Sequence, residues 1–162
     1  MTILGIDPGL ERVGYGLIQR EGSQLTAIDY GLIHTPKIAL PDRLRIVHEA
    51  VLEIIDRHNP TSLATERQFF TVNKTNALDV SKSLGTILLA ASLRGLPWTE
   101  YSPPEIKQSV VGNGSADKKQ VQFMVTRLLS LTSTPKPDDV ADALAIAITH
   151  AFRSRLTIAT RS

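Results

Sequence analysis

Cysteine is absent from the chain. Disulfides, thiolate nucleophiles and cysteine-based zinc sites are thereby excluded, and stability has to come from packing. Long hydrophobic runs are missing too: apolar stretches such as "DALAIAITHAF" fall short of the ~20 residues a membrane-spanning helix needs. Met1 leads straight into a strand-like segment and not into a signal peptide, which predicts a cytoplasmic protein. Nor is there a strong charge of either sign, since 18 Lys and Arg stand against 16 Asp and Glu for a net charge of +2. That balance by itself argues weakly for a polyanionic partner. If bound cations neutralised four of the acids, the remaining surface would be clearly basic and better suited to phosphates. No repeat, low-complexity tract or linker interrupts the 162 residues. One domain is expected over residues 1–152, followed by a short basic tail over 153–162. His34, His48, His58 and His150 show no ligand spacing and read as surface or helix-end residues.

What is present is a succession of short apolar segments. "ILGID", "RVGYGLIQR" and "LTAIDYGLIHT" are rich in Ile, Leu, Val and Tyr and separated by turn residues, so they read as three antiparallel strands in hairpin order. From Asp42 to His58, Leu44, Val47, Val51, Ile54 and Ile55 repeat at helical spacing, and "NP" at Asn59 and Pro60 stops the helix. "TSLATE" predicts a fourth strand, residues 75–94 a helix ended by Gly95, and "PWTEY" a fifth strand. Two closing helices follow, one on Val121, Met124, Val125, Leu128 and Leu129, the other over the alanine-rich segment from Asp138 to Ala151. The order β-β-β-α-β-α-β-α-α predicts an α/β fold with a five-stranded mixed sheet, antiparallel first and then parallel, flanked by helices.

Acids stand at the ends of this pattern. Alternation along a strand puts Ile3, Gly5 and Asp7 on one face, and Gly5 leaves room beside the acid. Pro8 favours extended geometry at Asp7, and Pro-Gly turns the chain, so the carboxylate is held at the sheet edge. On this segment alone, a turn residue bonded to its own backbone explains Asp7 equally well. Glu66 ends the fourth strand two residues after Ala64 and repeats the arrangement; alone it reads as a solvated strand terminus. In "PDDVADALAIAITH", Asp138 reads as an N-cap. Asp142 lies among Val140, Ala141, Ala143, Leu144 and Ala145, on a helix apolar nearly all round, where an unpaired carboxylate is costly. Asp139 and Asp142, three apart, share a helix face. With no basic residue beside Asp139 or Asp142 in the sequence, the four acids would repel one another without bound cations. Oxygen donors select Mg²⁺ or Mn²⁺. Two ions roughly 4 Å apart suit metal-assisted hydrolysis of a phosphodiester.

The segments "GIDPG", Glu66 followed by "FF", "KQSVVGNGSADKKQV" and "DDVADALAIAITH" together resemble the RuvC-type Holliday-junction resolvases, in order from about residue 2 to 152. "GIDPG" alone is shared more widely; the spacing of all four is specific. The resemblance implies a ribonuclease H-like fold, a homodimer, Mg²⁺-dependent paired cuts in opposed strands of a four-way DNA junction, and cooperation with the RuvA and RuvB branch-migration proteins. Carried across by motif, the catalytic and metal-binding acids are Asp7, Glu66, Asp139 and Asp142. The D-x-x-D-A-L spacing selects Asp139 as the third ligand, with Asp138 able to substitute for it or to cap the helix. Arg67 and Gln68 depart from the glutamine and apolar residue more usual after the acid.

Of Phe69 and Phe70 one reads as core and the other as free to stack on an unstacked base, and the resemblance assigns the stacking role to Phe69. Lys118 and Lys119 open an amphipathic helix after the Gly-rich turn "GNGS", where cations oppose the helix dipole; with the backbone N–H groups of that turn, Lys118 can hold a phosphate. Lys107 is a second phosphate contact by resemblance only. Two other functions fit parts of the pattern. An actin-like nucleotide-binding protein also opens on an Asp-Gly turn, but this chain has little room for an adenosine site. A non-catalytic junction-binding module would have its DNA affinity weakened by buried acids.

Overall fold

A computed structural model describes residues 1–67 and 74–159. The elements are β1 (Thr2–Asp7), β2 (Arg12–Glu21), β3 (Gln24–His34), α1 (Leu40–His58), β4 (Ser62–Glu66), α2 (Lys74–Leu93), β5 (Trp98–Tyr101), α3 (Pro103–Val111), α4 (Lys118–Leu128) and α5 (Asp138–Ala159). The strand order is β3-β2-β1-β4-β5, with β1 central. β1, β2 and β3 pair antiparallel, whereas β4 lies parallel to β1 and β5 parallel to β4. The expected mixed sheet is therefore present.

Alternation along β1 sorts the core into two layers. Leu4 and Ile6 meet Val47, Val51 and Ile55 of α1 and Ile87 and Ala91 of α2. Ile3 points to the opposite face, against Ile106 of α3, Val125 of α4 and Leu144 of α5. Val140, Ala141 and the run from Ala143 to Ile148 are all buried, as the apolar sequence of α5 requires. Its last turns continue through Ala159, into the segment that begins at Arg153. No described helix is long and apolar enough to cross a membrane.

α3 departs from the expected order, in which only two helices closed the chain. Only Ile106 and Val110 are buried along it, too few to set up a helical period, and its opening Pro103–Pro104 reads as a breaker. In the fold those prolines occupy the first helical turn, where a missing N–H costs nothing. Glu105 accepts hydrogen bonds from the Ser102 backbone N–H (2.9 Å) and hydroxyl (2.8 Å), completing the start of the helix. α4 begins in the same way, Asp117 accepting from Gln120 N–H and Gln120 accepting from Asp117 N–H, both at 2.9 Å.

Candidate active site

Asp7 and Glu66 end adjacent parallel strands, so their carboxylates leave the sheet side by side. α5 crosses the same edge, and glycines decide how closely. A Cβ on Gly5 would collide with the carbonyl oxygen of Ala143 and lie 2.7 Å from Ala147 N. One on Gly14, the β2 partner of Asp7, would overlap the carbonyl of Asp139. One on Gly16, the partner of Gly5, would lie 2.7 Å from Leu144 Cδ2. The space at Gly5 is thus filled by the α5 backbone, and does not serve as clearance for the Asp7 side chain as the sequence suggested. Close helix-sheet packing is what carries Asp139 and Asp142 over the strand ends.

The electrostatics report that convergence. The pKa of Asp7 is raised from 3.8 to about 8, first by burial and then by the negative charges of Asp142, Glu66 and Asp139, with Lys118 opposing the rise. Glu66 is raised by burial and by Asp142 against the pull of Lys107 and Lys118. Burial also raises Asp142, against its hydrogen bond to Lys118. Each group is held in a setting that disfavours its ionised form.

Two cations from distant parts of the chain stand among these acids, contrary to the expectation from local sequence. Lys118 Nζ lies 3.1 Å from Asp142 Oδ2 and 3.4 Å from Asp138 Oδ2. Desolvation works to lower the Lys118 pKa, but the hydrogen bonds and charges of Asp142 and Asp138 outweigh it and the net shift is upward. Arg12 Nε lies 3.4 Å from Asp139 Oδ2. That oxygen is nevertheless buried and accepts no hydrogen bond among the described residues, because 3.4 Å without donor alignment is an ion pair only. Asp138 is not the backbone cap expected of it: its carboxylate accepts from Gln122 Nε2 at 3.0 Å and pairs with Lys118 and, at 3.6 Å, with Lys136.

Glu66, Asp142, Lys107 and Lys118 line a cleft of about 240 Å³, walled by Pro103, Ile106 and Val121. Lys107, with no distinguishing signal in its own segment, is brought there by α3. Lys119 instead lines a separate groove with Val111, Phe123 and Met124. Arg67 donates to Glu100 Oε1 at 3.0 Å. Phe69 and Phe70 lie outside the described residues. His150 is not a surface residue: it is half-buried on α5, 2.9 Å from the Tyr101 hydroxyl, and desolvation lowers its pKa.

The acids suit a hard divalent cation. All the donors are carboxylate oxygens, one of them is buried without a hydrogen-bond donor among the described residues, and the pKa of Asp7 is pushed up by burial and then by neighbouring negative charge. Among the described residues no three such side chains form a ready-made cation cage, and Lys118 bridges Asp142 and Asp138 instead.

Comparison with known proteins identifies the setting. Residues 3–150 match the family model described as crossover junction endodeoxyribonuclease RuvC. Curated relatives of that description include those of Halothermothrix orenii, 50% identical over 157 residues (96% of this chain, 95% of the relative), and Brevibacillus brevis, 48% identical over 160 residues (98% and 96%). Among solved structures, Thermus thermophilus RuvC in complex with Holliday junction substrate superposes with a TM-score of 0.93 at 37% identity, covering 97% of this chain and 96% of that one. Chain path and sequence agree over nearly the whole length, and the chain belongs to the crossover junction endodeoxyribonuclease RuvC family.

Proposed function

We propose that this protein is a structure-selective, metal-dependent endonuclease that resolves Holliday junctions in DNA recombination and repair, by paired hydrolysis of phosphodiester bonds in opposed strands. The observation that carries the reading is the approach of Asp139 and Asp142 on α5 to Asp7 and Glu66 at one sheet edge, where burial, and after it the charges of Asp142, Glu66 and Asp139, raise the pKa of Asp7 to about 8. A non-catalytic binding module has no use for such a cluster, which repels the phosphates it would have to bind. Similarity to a resolvase bound to its junction supports the substrate.

Asp7, Glu66, Asp139 and Asp142 are the residues that would hold Mg²⁺, or Mn²⁺ in its place, two ions per site. Ions held there would supply an activated water for attack at phosphorus and would stabilise the leaving 3′ oxygen. The protein's own part is to present four partly buried carboxylates at the sheet edge and to bring the strand to them. Lys107 and Lys118, in the cleft with Glu66 and Asp142, hold phosphates of that strand; Lys119 contacts DNA further out, and Phe69 stacks on an unpaired base.

Two cuts require two sites, hence a homodimer. Leu78, Leu89 and Leu93 are exposed along α2 and supply an apolar surface for it. The dimer works in the cytoplasm with RuvA and RuvB. A synthetic four-way junction incubated with purified protein should be cut in Mg²⁺ and left whole in chelator. Binding without cutting, over many junction sequences, would leave the binding module as the better reading.

A further inference from the structure

The acids have a second flank. A cleft of about 590 Å³ opens between the turn after β1 and the start of α1. Its lining includes Leu10, Glu11, Arg12, Arg43, Asp79 and Asp139, and it shares no lining residue with the cleft of Lys107 and Lys118. One cleft meets the acids at Glu66 and Asp142, the other at Asp139.

Arg43 is held in place here by the residue that also fixes the turn after β1. Its Nε donates to the hydroxyl of Thr35 at 2.9 Å. Thr35 is fully buried, and its hydroxyl donates to Leu10 O at 2.6 Å while its backbone N–H donates to Glu11 O at 3.0 Å. The turn after β1 and the Arg43 guanidinium are therefore fixed by one side chain. With Nε tied down, the two terminal amino groups of Arg43 have no partner among the described residues. Arg12 reaches the same cleft from the start of β2 with its side chain 55% exposed, and its one ion pair among the described residues is the 3.4 Å contact to Asp139. A fixed planar fork beside a second guanidinium matches the oxygen pairs of a phosphate.

The facing acids are Glu11, Asp79 and Asp139. Asp79 is paired with Lys82 at 3.0 Å. Asp139 is in the set proposed above to hold cations, and cations there would take up its charge and release Arg12, leaving two arginines against Glu11. We propose that Arg12 and Arg43 hold a backbone phosphate of the cleaved strand on the Asp139 side of the acids, while Lys107 and Lys118 hold the strand on the Glu66 and Asp142 side. The proposal rests on the junction-nuclease reading, and makes the scissile phosphate the midpoint of two clamps.

The test measures junction binding in Mg²⁺ by a cleavage-silent Glu66→Gln protein, using junctions in which single phosphates near the cut are replaced by neutral methylphosphonates. Neutralising the phosphate under the arginines should weaken binding about tenfold, the scale of one charge-assisted contact. In Arg43→Gln the same replacement should cost nothing further, and the slope of log affinity against log salt should fall by about one. Arg12→Gln should behave alike at the same phosphate. Should Arg43→Gln not fold, Arg12→Gln, which leaves the Arg43–Thr35 contact in place, carries the reading by itself. Additive penalties at every position, in folded variants with unchanged melting, overturn the proposal. Wild-type protein that binds the junction and fails to cut it overturns the nuclease reading alone, because the phosphate map is read from binding.

Discussion

Asp7 offers the sharpest test, since one carboxylate is both a metal-ligand candidate and a source of instability in the ion-free fold. Its pKa rises from 3.8 to about 8, chiefly through burial and then through Asp142, Glu66 and Asp139. At ~1.36 kcal/mol per pKa unit, keeping it ionised in the ion-free protein costs on the order of 5 kcal/mol. Between pH 4 and 8 the folded state keeps a proton on Asp7 that the unfolded chain has lost. Stability is therefore full below the unfolded pKa and declines as pH rises toward 8. Asn has the shape of the protonated acid and never ionises. With chelator present at pH 9, Asp7→Asn should be more stable than wild type by at least about 2 kcal/mol, a rise in Tm of about 4 °C or more. The gain should shrink steadily as pH falls toward 5. The same variant should cut no junction in Mg²⁺ at any pH. Urea unfolding across pH and a junction-cleavage gel read the two halves separately. An Asp7→Asn protein no more stable than wild type at pH 9 would refute the electrostatic account of the site, and one that still cuts would remove Asp7 from the catalytic set.

Glu66→Gln and Asp142→Asn should each abolish cutting while junction affinity stays near that of wild type, because they remove cation ligands and not phosphate contacts; cleavage by either, seen on a gel, strikes that residue from the set. Gly5→Ala should push α5 away by about 1 Å, from 2.7 Å at Ala147 N toward ordinary contact. The expected costs are about 1–3 kcal/mol in stability and roughly a hundredfold in cutting rate, and unchanged unfolding and turnover would show that α5 does not seat on Gly5. Lys107→Ala and Lys118→Ala should weaken junction binding and each lower its salt slope by about one; titration of affinity against salt decides this, and unchanged slopes would return both lysines to the solvent.

The legible parts of the molecule were those written in local periodicity. Period-two alternation placed Leu4 and Ile6 on one face and Ile3 and Gly5 on the other, and the layers of the core follow it. α5 declared itself by an apolar surface with Asp142 set into it, and that contradiction within one helix pointed to the site. α3 was hidden because two buried residues make no period, although its Ser102-to-Glu105 spacing carried a usable helix-start signal. His150 was misread because nothing near it in sequence reveals Tyr101, 49 residues away.

By itself, then, the sequence determined the strand order of chemistry: which acids end strands, which helix is buried, and which residue types could bind a cation. Tertiary structure decided who stands beside whom. Lys118 reaches Asp142 and Arg12 reaches Asp139 only because α4 and β2 pack against α5, and Lys107 reaches Glu66 only through α3. The physical reason is range. Propensity and periodicity act over a few residues, whereas the charge balance of a site is summed through space, over groups that glycine contacts such as Gly5 and Gly14 against α5 bring within a few ångströms.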